Sequence, residues 1–178
     1  PISPAATSTA ATLTVNKAPV TATAGSYSGM YDGVSHSAST CAVTGDYKGD
    51  LSCANDPVSV GPNVGSGTIS PVVNGTGLSN YEITTVNGAW EITPAPVTAT
   101  VTIWDKAYDG TTAASIWTCM LNGVVSSDSV TCDFSSASAN FDNKNVGTDK
   151  TVSGTGLTLS GSSAGNYSFT GTSNGTAS

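Results

Sequence analysis

The sequence predicts an all-β chain of two tandem antiparallel modules, and composition, an internal repeat and strand periodicity carry this prediction. The 178 residues include 26 Ser, 27 Thr and 20 Gly, but only two Glu and no Arg or Gln. Thr and Val favour strands, and Gly favours turns. Because the residues that favour helices are nearly absent, a helical bundle is excluded.

An internal repeat divides the chain into two similar halves. The hexapeptide Ala-Pro-Val-Thr-Ala-Thr occurs at 18–23 and again at 95–100, and Tyr31-Asp32-Gly33 recurs as Tyr108-Asp109-Gly110. Both pairs are 77 residues apart. Later matches are farther apart, which indicates loop insertions in the second copy. They include Cys41 and Cys53 with Cys119 and Cys132, and Asn80-Tyr81 with Asn166-Tyr167.

Within each half the apolar residues alternate with a period of two. In the segment 97–104, Val97, Ala99, Val101 and Ile103 share one face while Thr occupies the other, which is typical of a half-buried strand. Asn87-Gly88 lies between two such runs and predicts a type I′ hairpin. We therefore expect two β-sandwich modules, Ig-like or β-grasp-like, at residues 18–94 and 95–178.

Each Tyr-Asp-Gly tripeptide follows the strand that opens its module. Asp and Gly are turn residues, and a tyrosine beside a turn packs readily on the edge of a module. We favour this structural interpretation over a binding role.

The four cysteines form two pairs, one in each module, with spacings of 12 and 13 residues. Zinc ligands usually occur as Cys-x-x-Cys or with His nearby, and the chain has one His. Equivalent positions in the two modules predict the disulfides Cys41–Cys53 and Cys119–Cys132, with buried free thiols as the less favoured alternative. Disulfides indicate an oxidising compartment, so we expect a secreted protein that is extracellular or on the cell surface.

Several stretches resemble the YDG and MBG repeat modules, which are short β-rich units in tandem along large bacterial surface and adhesin-like proteins. The stretches are Lys106-Ala-Tyr-Asp-Gly-Thr-Thr112, Val146-Gly147, Gly154-Thr-Gly-Leu157, Gly165-Asn-Tyr167 and Ile92-Thr-Pro-Ala-Pro-Val97. The resemblance covers about residues 11 to 170, and the first module matches more loosely, with Met30 where Ala107 stands. It implies stalk, adhesion or matrix roles and supplies no catalytic residues. The cysteine pairs are an addition to the motif.

The two modules are predicted to end differently. Module one closes with the apolar strand 89–93, whereas the tail 171–178 has no large apolar residue. Counting back 77 residues places Leu13 opposite Trp90 and Val15 opposite Ile92. We therefore interpret residues 1–17 as a linker plus a donor strand, and module two as lacking its closing strand. The predicted assembly strand consists of Thr12, Leu13, Thr14, Val15 and Asn16, and its acceptor groove contains Tyr167 and Phe169.

This asymmetry predicts strand addition between subunits. Residues 12–16 of one subunit would complete module two of the next, in a head-to-tail homopolymer that grows as a filament. Nearly equal weight goes to the alternative that the chain is one period of a longer tandem protein, with the strand donated in cis. A strand that folds back onto module two of its own chain would need an improbable span across module one.

Catalytic chemistry has little support in the sequence. The single His36 lies in a polar run without an acid at a paired spacing, so a general base is not expected. The segment 161–165 matches Gly-x-Ser-x-Gly formally, but it lies in a Gly/Ser loop without a following helix, so it is not a nucleophile elbow. We expect no catalytic residues and no enzyme.

The charge and composition also bear on nucleic-acid, membrane and metal binding. A net charge of −7 with five Lys excludes nucleic acid, and no apolar run approaches the roughly 18 residues of a membrane span. We expect no structural calcium near Asp105, because no calcium-loop motif occurs and lysines lie among the acids. We expect no cofactor and no metal. The acidic residues of module two are Asp105, Asp109, Asp128, Asp133, Asp142 and Asp149.

Surface glycans or proteins remain possible partners. Trp104, Trp117 and several tyrosines would stack on sugars if they were exposed, although we expect Trp90 in the core and Trp117 packed on its disulfide. The favoured function is a structural subunit of an extracellular filament or surface stalk, assembled by strand complementation. The alternative is an adhesin segment of a longer surface protein that binds a glycan or a protein.

Overall fold

A computed structural model describes residues 11–177, and both modules are β-rich. Positions 1–10 of the predicted linker lie outside the described residues. Module one contains β1 (Ala18–Thr23), β2 (Tyr27–Met30), β3 (His36–Ser37), β4 (Ala42–Thr44), β5 (Ser52–Asp56), β6 (Ser59–Val60), β7 (Gly65–Asn74), a 3₁₀ helix (Leu78–Asn80), β8 (Tyr81–Val86) and β9 (Gly88–Thr93).

Module two repeats most of this succession of elements but, among its described residues, has no strand equivalent to β2. It contains β10 (Ala95–Pro96), β11 (Thr98–Ile103), β12 (Ala113–Ala114), β13 (Ile116–Asn122), β14 (Thr131–Asp133), β15 (Ser138–Phe141), β16 (Lys150–Thr155), β17 (Thr158–Ser160), a 3₁₀ helix (Ala164–Asn166), β18 (Tyr167–Ser168) and β19 (Thr172–Ala177).

The described strands of each module form three sheets. In module one the strand orders are β4-β1-β8, β2-β9-β7-β5 and β3-β6. In module two they are β12-β15-β16-β19-β11-β13, β10-β18 and β14-β17. The same pairings recur at equivalent positions: Ala18 pairs with Tyr81 across β1 and β8, and Ala95 pairs with Tyr167 across β10 and β18. The sequence repeat is therefore also a repeat of strand pairing.

Each module contains both parallel and antiparallel strand pairs, so the prediction of purely antiparallel modules is wrong. The pairs β1–β8, β2–β9, β10–β18 and β11–β19 are parallel, and the remaining described pairs are antiparallel. Alternation along a strand reports which face is buried, but it carries no information about the direction of the neighbouring strand.

The predicted Asn87-Gly88 hairpin is also wrong, because β8 and β9 belong to different sheets. Gly88 lacks the positive φ that a type I′ turn requires. A side chain at Gly88 would place its Cβ 1.8 Å from the carbonyl oxygen of Gly25. The glycine is thus required by the close approach of another backbone segment.

The core consists of side chains that the strand periodicity identified. Val97, Ala99, Val101 and Ile103 are all at least nine-tenths buried, as predicted. In module two, β11 packs on Val152, which is fully buried, and on Leu157. Module one has two clusters, one around Val20, Ala22, Val43, Leu51 and Tyr81 and one around Ala24, Val60 and Ile69.

Module two has a strand at the position where the sequence predicted none. The tail forms β19, which pairs antiparallel with β16 at six positions and parallel with β11 at Ala99 and Ser173. Ser173 is 6% exposed, and its Oγ donates a hydrogen bond to the Ala99 carbonyl oxygen at 2.8 Å. A Cβ at Gly175 would lie 2.4 Å from the Val101 carbonyl oxygen. The prediction that module two lacks its own closing strand is wrong here, because small residues fit a close approach to β11.

The predicted assembly strand forms no strand in the described chain, in which residues 11–17 are unpaired and exposed. Leu13 is 89% exposed and Val15 is 86% exposed. Two apolar side chains of an alternating segment therefore lie in solvent.

Candidate functional site

The candidate functional site is the junction between the two modules, and the first Tyr-Asp-Gly tripeptide lies within it. Asp32 Oδ1 accepts a hydrogen bond from the Val34 backbone nitrogen at 3.1 Å, and Gly33 has a φ of 82°. This turn follows β2 and directs Tyr31 towards module two. Tyr31 is only 6% exposed, which agrees with the prediction that this tyrosine packs on the edge of its module.

Two tyrosines, one from each module, donate to a single carboxylate. Tyr31 Oη donates to Asp128 Oδ2 at 2.7 Å, and Tyr167 Oη donates to the same oxygen. The backbone nitrogen of Val125 donates to Tyr167 Oη at 3.0 Å. The two tyrosine rings meet edge to face with centroids 5.4 Å apart, an arrangement that aromatic pairs favour.

Burial and hydrogen bonding fix the protonation states of this trio. Burial raises the pKa of Tyr31 to about 12, and its hydrogen bond to Asp128 adds to the rise. Burial, followed by the bond to Asp128, also raises the pKa of Tyr167. The hydrogen bonds from Tyr167 and Tyr31 lower the pKa of Asp128. Neutral donors therefore face an ionised acceptor, which is the stronger class of hydrogen bond.

A second polar contact joins the modules beside the first. Asn166 Oδ1 accepts from the Val64 backbone nitrogen at 3.1 Å, and Asn166 Nδ2 donates to Asn63 Oδ1 at 3.2 Å. An apolar cluster from both modules surrounds these bonds and includes Tyr31, Ile92, Ala95, Val97 and Tyr167. Buried apolar area and hydrogen bonds at fixed positions together hold one module against the other.

The second Tyr-Asp-Gly tripeptide has the same turn but no such partner in the described chain. Asp109 Oδ1 accepts from the Thr111 backbone nitrogen at 2.9 Å, and Gly110 has a φ of 78°. A hydrogen bond from Lys106 lowers the pKa of Asp109 to about 2, assisted by bonds from Thr111. Tyr108 is 63% exposed. The edge-packing prediction therefore fails for Tyr108, which is mostly exposed.

The structure contains both predicted disulfides. Cys41–Cys53 joins the segment before β4 to β5, with a Cα–Cα distance of 5.6 Å. Cys119–Cys132 joins β13 to β14, with a Cα–Cα distance of 5.8 Å. Each disulfide closes the same part of its module.

The predicted acceptor groove is not open in this structure. Tyr167 is 7% exposed and lies in the junction against module one, while Phe169 packs against the cores of module two and the junction. Their segment pairs with β10 through β18. Sequence reasoning missed the junction because its central bond joins residues 97 positions apart. The matching Asn-Tyr dipeptides were the available signal.

The prediction that Trp117 packs on its disulfide is wrong. Trp117 is 53% exposed and Trp104 is 54% exposed, and their rings lie 5.0 Å apart at a tilt of 41°. Trp90 is partly buried against the core, as predicted, and covers Gly65 and Gly67 of the neighbouring strand. Alternation predicted the inward side for Trp90, whereas Trp104 lies just beyond the end of β11.

No group of three or more His, Cys, Asp or Glu side chains suited to a metal ion occurs among residues 11–177. Within that range no helix has the length and apolar character needed to cross a membrane.

Comparison with known proteins gives one match, to a family. Residues 93–175 match the YDG domain. No match to the chain was found among curated proteins or among solved structures. The matched segment spans β10 to most of β19 and contains the exposed Tyr-Asp-Gly turn. The second module of this chain is therefore a YDG-type domain.

Proposed function

We propose that this chain is a structural segment of an extracellular fibre or surface stalk, in which two-layer β-sandwich modules follow one another head to tail. The junction is the single observation that carries the proposal. Tyr31 and Tyr167 are both more than nine-tenths buried there and share one carboxylate. A linker between independent binding modules would not need such a contact, whereas a stalk needs adjacent modules to keep a fixed direction.

The composition and the two disulfides support the proposed extracellular location. Two disulfides are compatible with an oxidising environment. Only 10% of the residues are charged, and the chain contains five lysines and no arginine. Such a surface offers few sites to proteases that cleave after basic residues, which suits a protein outside the cell.

Small-angle X-ray scattering on the purified chain tests whether the modules are held together. We expect the wild-type profile to fit a single arrangement of the two modules. The Tyr31→Ala variant removes the central ring and one hydrogen bond to Asp128, so its profile should require a range of hinge angles. Trp117→Ala is the control, because it removes an exposed aromatic side chain that lies outside the junction.

A wild-type profile that already requires a range of hinge angles contradicts the stalk proposal. So does a Tyr31→Ala profile identical to the wild type, since the junction would then have no mechanical role. Circular dichroism and non-reducing mass spectrometry confirm that each variant is folded and retains both disulfides.

Strand donation by residues 12–16 stays a separate, untested prediction. Because β19 already pairs with β16, a donated strand must either displace β19 or pair with module two beyond the end of β19. The Leu13→Asp, Val15→Asp double variant should leave both modules folded and shorten any fibres that electron microscopy detects. Fibres of unchanged length would show that these side chains are not used.

A glycan-binding adhesin segment is the second candidate function, and the exposed Trp104–Trp117 pair favours it. Exposed aromatic faces can stack on sugar rings. A glycan array with the wild type and the Trp117→Ala variant tests this function. Binding that Trp117→Ala abolishes, and that an exposed-tyrosine control such as Tyr47→Ala retains, would favour the adhesin.

A further inference from the structure

The junction consists of two complementary faces, one on each module. The tyrosine face of module one contains Tyr31, Gly33, Asn63 and Val64. The aspartate face of module two contains Val125, Asp128, Asn166 and Tyr167. Besides the hydrogen bonds above, the faces touch where a Cβ on Gly33 would lie 3.1 Å from Val125 Cγ1. Because the modules are repeats, module two also has residues equivalent to the tyrosine face, and module one has residues equivalent to the aspartate face.

Module two has its own tyrosine face, made of Tyr108, Gly110, Asn145 and Val146. The tripeptide Asn145-Val146-Gly147 follows β15 as Asn63-Val64-Gly65 follows β6. The turns also agree, since Asp32 and Asp109 each accept from the backbone nitrogen two residues later. The turn of this face therefore has the conformation that docks in module one.

This second tyrosine face is uncovered. Tyr108 is 63% exposed where Tyr31 is 6% exposed, and Val146 is 87% exposed where Val64 is half-buried. A Cβ on Gly110 would meet no atom of residues 11–177 within 4 Å. Exposed Tyr and Val on one surface are typical of an interaction site.

Module one has its own aspartate face, made of Tyr47, Asp50, Asn80 and Tyr81. Asp50 follows Gly45 by five residues, as Asp128 follows Gly123. Burial, then the electrostatic effects of Tyr47 and Asp50, raise the pKa of Tyr81. The Asp50 carboxylate accepts hydrogen bonds from the backbone nitrogen and the hydroxyl of Thr76. Tyr47 stands at the position of Val125, stacks parallel to Tyr81 with centroids 6.4 Å apart, and is 68% exposed.

A cavity of about 310 Å³ adjoins the tyrosine face of module two. It lies between the segments around Tyr108 and around Val146. The equivalent space in module one is filled, because β2 pairs there with Trp90–Thr93 of β9 and Gly65 pairs with Ile92. In module two the segment equivalent to β2, residues 104–107, forms no strand.

The exposed segment before module one contains a valine at the position equivalent to a residue that fills this space in module one. Val15 lies 77 residues before Ile92, which is 2% exposed at the junction. Val15 also lines a cavity together with Tyr47, Asp50, Asn80 and Tyr81 of the aspartate face. The exposed valine and the aspartate face therefore lie at the same end of the chain, and both would meet a docked tyrosine face.

We propose that the tyrosine face of module two binds the aspartate face of module one in a second copy of this chain, with Val15 of that copy entering the cavity. Tyr108 Oη then donates to Asp50, and the Val146 backbone nitrogen donates to Asn80 Oδ1, which repeats the internal junction. The contact is heterologous and leaves one face free at each end, so it propagates. The proposal rests on the proposed stalk function and names its partner.

Sedimentation velocity over a range of protein concentrations tests this contact in the purified chain. The wild type should form species that lengthen with concentration. Tyr108→Ala should weaken the association by about 30-fold, the loss expected for a central interface tyrosine. Trp117→Ala is the control, because it removes an aromatic of similar exposure that lies outside both faces.

A mixing experiment tests the head-to-tail direction. Tyr108→Asp blocks the tyrosine face, and Tyr47→Asp blocks the aspartate face. Each variant alone should remain monomeric. The equimolar mixture should form a dimer and no longer species, because only one pair of intact faces remains. Two blocked variants that fail to pair, or that each still dimerise alone, would overturn the proposal.

Failure of docking between copies can be distinguished from failure of the proposed stalk function. A wild-type monomer at about 1 mM, a concentration at which even weak contacts are populated, refutes docking between copies. The scattering test on the internal junction is made on protein diluted until it is monomeric, so its outcome does not depend on docking between copies. Circular dichroism and intact disulfides in each blocked variant exclude misfolding as the cause of lost association.

Discussion

The hydrogen bond between Tyr31 and Asp128 gives a direct test of the junction. The Tyr31→Phe variant keeps the buried ring and removes the hydroxyl that donates to Asp128 Oδ2 at 2.7 Å. A hydrogen bond to a charged group contributes about 1.5–3 kcal/mol. Because Asp128 is half-buried and keeps the bond from Tyr167, we expect a loss of about 1.5 kcal/mol in unfolding free energy.

The matched control is Tyr108→Phe, which makes the same change in the second tripeptide. Tyr108 is 63% exposed, and substitutions at such surface positions change stability by less than about 0.5 kcal/mol. For a chain of this size, 1 kcal/mol shifts the melting temperature by about 2–4 °C. Tyr31→Phe should therefore melt about 3–6 °C below the wild type, whereas Tyr108→Phe should stay close to it.

Differential scanning calorimetry measures both variants, and it also shows whether the modules unfold together. Equal melting temperatures for Tyr31→Phe and Tyr108→Phe would refute the reasoning, because the hydroxyl at the junction would then contribute no more than one in solvent. If the two modules unfold in separate transitions, the loss in unfolding free energy must be determined for each transition by itself.

Three further predictions concern pH, packing and crosslinks. The unfolded chain releases the Tyr31 proton near pH 10 and the folded chain near pH 12, so wild-type stability should fall over that interval, and less so in Tyr31→Phe. Denaturant titrations at several alkaline pH values check this, and equal slopes would contradict it. Val152→Ala should lower the unfolding free energy by about 2–3 kcal/mol, since Val152 is fully buried; exposed Val58→Ala is the control. Replacing Cys119 and Cys132 by Ala opens a 13-residue crosslink and should cost about 3 kcal/mol, and an unchanged melting curve would argue against it.

The repeated fold could be predicted because its signals are local or act through simple spacing. Alternation along 97–104 identified the buried face of β11, and matched cysteines identified both disulfides. The direction of neighbouring strands was not predictable in this way. A run such as 81–86 looks the same whether its neighbour is parallel or antiparallel, and Asn87-Gly88 looks like a hairpin although it joins two sheets.

The tail shows a second limit of sequence reasoning. A closing strand was expected to carry large apolar residues, as Trp90 and Ile92 do in module one. In module two Ser173 and Gly175 occupy the equivalent strand because β19 lies close to β11, and the apolar volume comes from Val101, Val152 and Leu157. How much volume a position must fill depends on the distance between backbones, which the sequence does not state.

The sequence by itself determined that this chain is β-rich, that it repeats, how its cysteines pair, and that its second half resembles a YDG module. Those properties depend on residue type, periodicity and spacing. Only the tertiary structure decided that Tyr31 is buried while Tyr108 is exposed, although both belong to the same tripeptide with the same turn. The difference arises because Asp128 and Tyr167 of the following module cover Tyr31, and contact across so many residues depends on how whole modules pack.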